Sequence, residues 1–212
     1  ERPHRGTRRG LLQKPDRRLH RRLSGRGSTK LGAGLSLGDA GLQIILIRHP
    51  RPSGVEGVCY GHHEVRVAPQ DLANAAQMLV QELGAPALAQ AEIHTSPASR
   101  CHELATMLAA PKLPQPDEDL REMCFGRWEG LRWDAIPRSE IDDWARDLRA
   151  YQPGEGESVD MVAARWQRWR NRVLANGHDT TIAVTHAGLI RVALGDLQRA
   201  VPFGSIHRLH LA

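Results

Sequence analysis

The stretch Gln43–Pro52, QIILIRHPRP, constrains the fold more than any other part of the chain. Four branched apolar residues, Ile44 to Ile47, form an unbroken run, whereas a strand with one wet face alternates apolar and polar residues. Such a run reads as a strand buried on both faces, which belongs in a parallel sheet covered by helices. It meets Arg48 and His49 at once, and Pro50 and Pro52 stop its continuation. A cation and a titratable ring therefore stand at the strand's carboxyl end, where open α/β sheets bind ligands.

The residues that follow repeat the pattern. Pro69–Leu83 places Leu72, Ala76, Leu79 and Leu83 on one helical stripe and ends at Gly84, a helix stop. Residues 91–96 (AEIHTS) read as a short strand, and Ser96-Pro97 as a helix start with Ser as cap and Pro in the first turn, running to about Ala110. Residues 111–116, with three prolines, read as a loop. Residues 137–150 and 157–174 read as helices. The second carries Val159, Val162, Trp166, Trp169 and Val173 on one stripe, so the two tryptophans are expected in the core. Residues 181–185 (TIAVT) are a further apolar strand that runs into His186 and a helix, and SIHRLHL (205–211) alternates weakly as a last strand. Strands alternating with helices predict an α/β fold, a mostly parallel sheet with helices on both faces.

Composition enters mainly through its asymmetry. Of 29 Lys+Arg and 24 Asp+Glu, residues 1–42 hold 11 and 3, so this segment carries +8 and the rest of the chain −3. Residues 1–41 are rich in Arg and Gly and have no aromatic residue, so they are expected to be a disordered basic extension rather than part of a core. Three readings stay open for them: a solvated extension without a function, an organelle-targeting segment, or a nucleic-acid-binding arm. The chain has no apolar run of transmembrane length. Its cysteines, Cys59, Cys101 and Cys124, form no CxxC pair, which argues against a zinc site or a disulfide framework and fits a reducing, cytoplasmic setting.

Three strand ends therefore gather chemistry: Arg48-His49, Arg100 in the first turn after residues 91–96, and His186. Two arginines, two histidines and free helix N-termini on one rim suit a doubly charged phosphoryl group. A neutral imidazole can attack phosphorus, and the leaving alkoxide then needs an acid. The stretch LREMCFGRWEG (120–130) supplies two candidates, Glu122 and Glu129, and spacing does not choose between them.

The motifs LIRH (46–49), TSPASR (95–100), LREMCFGRWEG (120–130) and VTHAGLIR (184–191), in this order, resemble the histidine phosphatase superfamily in its phosphoglycerate-mutase-like branch. LIRHPRP, CYG (59–61), FGRWEG and PGEGES (153–158) are most similar to the alpha-ribazole phosphatases of that family. The resemblance implies a three-layer α/β/α sandwich over 42–212, with 131–156 as a helical cap, and a metal-independent phosphomonoester hydrolase that needs no cofactor. It implies His49 as the nucleophile, Arg48, Arg100 and His186 as the phosphate-binding ring, and Glu122 as proton donor, leaving Glu129 and Trp128 structural. The implied substrate is a small phosphorylated molecule, alpha-ribazole 5′-phosphate or adenosylcobalamin 5′-phosphate in cobalamin biosynthesis. A sugar phosphate or phosphoglycerate is the alternative, and an inactive phosphate-binding scaffold with a nucleic-acid-binding arm a more distant one. The oligomeric state stays open.

The chain also departs from the family pattern. Pro50 replaces the usual Gly after Arg-His and removes one N–H. Arg51-Pro52 replaces the polar pair of the mutases, which argues against a mutase. His62-His63-Glu64 stands where Arg-Thr-Asp is usual, which leaves substrate recognition open; a metal site there is not expected, because adjacent His side chains seldom converge on one ion. Ser99 stands where a second Arg is common. The family usually continues with another edge strand after SIHRLHL, so the C-terminus is expected to be incomplete. For Trp133 and Trp144, core packing is favoured over lining the pocket, and neither Cys101 nor Cys124 has the partners of a reactive thiolate.

Overall fold

A computed structural model describes residues 42–211. The expected basic extension lies outside them. Strand β1 (Leu42–Arg48) takes its central place because both its faces are apolar. Ile45 and Ile47 point into one core, Ile44 and Leu46 into another, and none of the four is more than 5% exposed. Full burial of each such side chain contributes roughly 1.5–3 kcal/mol. That is why an unbroken run rather than an alternating one was required.

The first core lies under helices α1 (Pro69–Leu83), α2 (Ala85–Gln90) and α3 (Ser99–Ala109). Leu72, Ala76 and Leu79 supply the buried stripe of α1, and its end falls at Gly84, whose φ of 84° favours glycine. The second core lies under α5 (Val159–Asn176) and α6 (Ala187–Leu194). Ser158 caps α5 by accepting from Met161 N at 3.2 Å, and Gly177 ends it in the left-handed region. Trp166 and Trp169 are buried there as expected, Trp169 donating its indole N–H to His94 at 3.1 Å. The outcome is the expected three-layer sandwich.

The sheet order is β3-β2-β4-β1-β5, with β2 at Glu92–Thr95, β3 at Gln115–Pro116, β4 at Thr180–Thr185 and β5 at Ile206–Leu211. All neighbours run parallel except β5, which pairs antiparallel with β1. Because β4 lies between β1 and β2, the carboxyl ends of these three strands are side by side. Arg48 is in register with Thr185, and Thr95 with Val184.

Four local expectations are corrected. Ser96 does not cap α3 and Pro97 is not in its first turn, because the Ser96 N–H continues the sheet ladder to Val184 O at 2.9 Å and the helix begins only at Ser99. Residues 111–116 are not all loop, since Gln115 and Pro116 pair with His94 and Thr95 as an edge strand, a place that tolerates proline. The helix expected over 137–150 is shorter, α4 (Arg138–Arg146), and α2 was not anticipated. Residues 131–156 also hold short 3₁₀ turns at Trp133–Ala135 and Pro153–Glu155. Among the described residues, no helix is long and apolar enough to cross a membrane.

Candidate active site

His49 follows β1, His186 follows β4 and Ser96 follows β2, so the sheet's register brings three side chains to one rim. The His49 N–H donates to Thr185 O at 3.1 Å, holding the first two strand ends together beyond the ladder. The imidazoles of His49 and His186 meet edge to face, with centroids 5.1 Å apart, and neither residue is more than 1% exposed.

The hydrogen-bond partner of His49 assigns its tautomer. Nδ1 lies 2.7 Å from the Pro50 carbonyl, which can only accept, so Nδ1 carries the proton and Nε2 keeps its lone pair. Burial pushes His49 down to about 3, helped by the charges of Arg100 and Arg48 and opposed by the bond to Pro50. Its ring is therefore neutral through the physiological range. Burial, with Arg100 next in effect, also holds His186 well below the ordinary imidazole value. The Nε2 of His186 is 2.8 Å from Ser96 Oγ and 3.5 Å from Cys101 Sγ. Burial pushes that Cys101 thiol far up, so it stays protonated.

Two guanidinium groups flank the histidines. Arg100, 1% exposed, donates to Gly61 O at 2.6 Å and His63 O at 3.3 Å. Arg48 donates to Val201 O at 2.5 Å and lies 3.6 Å over the Phe203 ring, which also packs against His49. Among the described residues neither arginine has a carboxylate partner within 4.0 Å, and the Nε of each is buried without an acceptor. Buried cations that lack a counterion are costly. A doubly charged oxyanion would supply the missing charge.

Glu122 enters from the loop after a 3₁₀ turn at Glu118–Leu120. Its carboxylate accepts from Met123 N at 3.0 Å and from Gly188 N, at 3.1 Å to Oε1 and 3.3 Å to Oε2. Gly188 lies in the first turn of α6, and a Cβ there would overlap Oε1 of Glu122. The backbone beneath is held by Arg165, 6% exposed, which donates to the carbonyls of Asp119 (2.8 Å), Arg121 (2.7 Å) and Glu122 (2.9 Å) and pairs with Glu157 at 2.9 Å. Glu129, the other candidate, accepts from the backbone N–H groups of His62 (3.0 Å) and Phe125 (2.9 Å), so it braces the wall.

The changed 62–64 loop has its own partners. The His62 ring lies 2.7 Å from Glu122 O. Glu64 accepts from Ser99 N (3.3 Å) and Ser99 Oγ (2.7 Å), which joins two departures from the family pattern in one contact at the start of α3. Among the described residues no three His, Cys, Asp or Glu side chains gather as a metal site.

The structure thus brings Arg48, His49, Arg100 and His186 together, with Glu122 close enough to Arg48 to influence its charge. Sequence reasoning missed Ser96 as the partner of His186, Phe203 and Arg165. Arg165 alone carried a signal, as a cation on the apolar stripe between Val162 and Trp166.

Comparison with known proteins bears on the fold and the family. The family model for the histidine phosphatase superfamily (branch 1) matches residues 44–212. A bifunctional protein of Mycobacterium tuberculosis and an uncharacterized protein of Mycobacterium bovis are each 32% identical over 127 residues, 57% of this chain. The match spans only 34% of their length. Among solved structures, the alpha-ribazole phosphatase from Shigella flexneri superposes with a TM-score of 0.67 at 21% identity, covering 81% of this chain and 91% of that one. A mycobacterial glucosyl-3-phosphoglycerate phosphatase gives the same TM-score at 21% identity, covering 79% and 92%. At such identities these likenesses speak for the fold. With its fold, its strand-end histidines and a family match over most of its length, the chain belongs to the histidine phosphatase superfamily, branch 1.

Proposed function

We propose that the chain hydrolyses a phosphomonoester through a phosphohistidine on His49, with alpha-ribazole 5′-phosphate as substrate. The observation that carries the reaction is the His49 ring: Nδ1–H bound to Pro50 O, Nε2 with a free lone pair, and beside it the buried Arg100 and the half-buried Arg48, neither with a carboxylate partner among the described residues. The substrate assignment rests on LIRHPRP, CYG, FGRWEG and PGEGES.

In the first step Nε2 of His49 forms a bond to phosphorus as the ester P–O bond breaks in line. Arg48, Arg100 and His186 hold the equatorial oxygens, where charge develops in the transition state. Glu122 gives its proton to the leaving alkoxide. In the second step Glu122, now a carboxylate, takes a proton from water, whose oxygen attacks phosphorus. The N–P bond breaks, inorganic phosphate departs and the lone pair returns to His49. Both steps use groups of this chain and one water molecule.

The test is phosphate release by the purified protein from alpha-ribazole 5′-phosphate in EDTA, next to the His49→Ala variant. The expected outcome is release by the wild type and none above background by the variant. Equal release by both would overturn the reaction, and release from other phosphomonoesters but not from this one would overturn the substrate.

A further inference from the structure

The loop at residues 61–64 lies between the arginine that suits phosphate and the carboxylate proposed to protonate the leaving group. On one side the carbonyls of Gly61 and His63 accept from Arg100, at 2.6 Å and 3.3 Å, and Glu64 accepts from Ser99 Oγ at 2.7 Å. On the other side the His62 ring reaches Glu122, with Nε2 2.7 Å from the Glu122 carbonyl oxygen. The His62 backbone N–H donates at 3.0 Å to Glu129, which also accepts from Phe125 N at 2.9 Å. The loop is therefore tied to the segment that carries Glu122. The fit is close: Gly61 has φ 36°, and a Cβ there would overlap Oε1 of Glu129.

The partner of His62 says which nitrogen holds its proton. A carbonyl only accepts, so Nε2 is protonated, and the bond forms whether the ring is neutral or charged. The same carbonyl takes a second donor, Arg165, at 2.9 Å. Arg165 pairs with Glu157, which accepts from Cys124 N at 2.9 Å and lies 4.0 Å from His62 Nε2. Residues 122–124 are thus gripped by Arg165 and Glu157 on one hand and by the His62 ring on the other. The His62 side chain is one-third exposed, so it adds little to a core, and the bond to Glu122 O is its main contact. The grip matters because the Glu122 side chain borders a cavity of about 220 Å³ with mainly apolar walls, Phe125, Val162 and Leu197 among them, into which an untethered carboxylate has room to turn. A catalytic group displaced by about 1 Å can lose on the order of 10²-fold in rate.

We propose that His62 is a positioning residue for Glu122: its Nε2–H fixes the backbone of the proton donor relative to the loop that also holds Arg100. The inference rests on the phosphohistidine reading, since it presupposes that Glu122 protonates the leaving oxygen. It goes beyond that reading by giving the departure from the family pattern at position 62 a role in the reaction.

The test measures phosphate release from phenyl phosphate and p-nitrophenyl phosphate by the full chain and by its His62→Ala, His62→Gln and Glu64→Ala variants. The two esters share a ring and differ in how much the leaving oxygen needs a proton. His62→Ala should lower kcat on phenyl phosphate about tenfold, the scale of one hydrogen bond, and on p-nitrophenyl phosphate about twofold at most. His62→Gln keeps a side-chain N–H of similar reach and should restore most of the phenyl phosphate rate. Glu64→Ala loosens the same loop at its tie to Ser99 and should leave the ratio of the two rates as in the wild type. A ratio unchanged in His62→Ala, shifted equally by Glu64→Ala, or not restored by His62→Gln overturns the role of His62 and leaves the chemistry at His49 standing. Wild-type turnover of p-nitrophenyl phosphate alone overturns that role too, and turnover of neither ester overturns it together with the phosphatase reading.

Discussion

The burial that holds His49 neutral should make the fold acid-sensitive by a predictable amount. In the unfolded chain its imidazole titrates at the ordinary 6.5, and in the folded protein at about 3. Between those values the unfolded state binds more protons, so stability is intact above pH 6.5, falls as pH drops below it, and levels off near pH 3. At 1.36 kcal/mol per pKa unit, lowering pH from 7 to 5 removes about 2 kcal/mol through His49 alone. His186 is shifted in the same direction, also chiefly by burial, so its protonation adds to the loss on acidification. The His49 share alone is a sizeable fraction of the roughly 5–15 kcal/mol that holds a domain folded. The assay is urea unfolding at pH 7 and pH 5 for the wild type and for His49→Asn, an uncharged side chain of similar reach. Groups common to both proteins cancel in the comparison. The variant should lose about 2 kcal/mol less than the wild type between the two pH values. An equal loss in both would refute the claim that His49 is held neutral by burial, and with it the reason its Nε2 is available for attack at neutral pH.

Two further predictions concern Glu122, the proposed proton donor. Gly188→Ala should push the Glu122 carboxylate from its seat on the helix N-terminus, because a Cβ there overlaps Oε1. The expected loss is about 10²-fold in kcat on an alkyl phosphate, the lower range for general acid catalysis, and far less on p-nitrophenyl phosphate, whose leaving group needs no proton; equal losses on both would reject Glu122 as the acid. Arg165→Met should cost about 3–5 kcal/mol in urea unfolding, since it leaves the half-buried Glu157 without its partner and frees three carbonyls. Adding Glu157→Gln should recover part of that loss, and no recovery would show that the ion pair is not the source.

What could be read from the sequence was local. Ile44–Ile47 announced a strand buried on both faces because burial on each side demands an unbroken apolar run, and it is found with two residues in each core. Arg48, His49 and His186 could be placed because a strand's carboxyl end is defined by the residues next to it. α1 was legible to the residue because its stripe and its glycine stop agree. Ser96 was misread for an equally local reason: Ser-Pro is a good helix start. What decided its role was the sheet, whose ladder its N–H continues to Val184 O, and a histidine 90 positions away that its hydroxyl meets at 2.8 Å.

The residues that escaped the sequence reading share one property: their function comes from contacts across the chain. Phe203 bears on Arg48 and His49 from the segment before β5, and Val201 O binds Arg48 across 153 positions. No periodicity records such a contact. Nor does the sequence distinguish Trp128 from Trp144, which both belong to one aromatic cluster and touch at 5.8 Å. Only the fold shows that Glu140 has taken the N–H of the first and that nothing in the described chain has taken that of the second. The motifs at the strand ends thus speak to the reaction, because phosphoryl chemistry depends on a few groups fixed by adjacent strands. The apolar cavity beside Glu122, by contrast, is assembled from α4, α5, α6 and the loops between them, so no single motif records it.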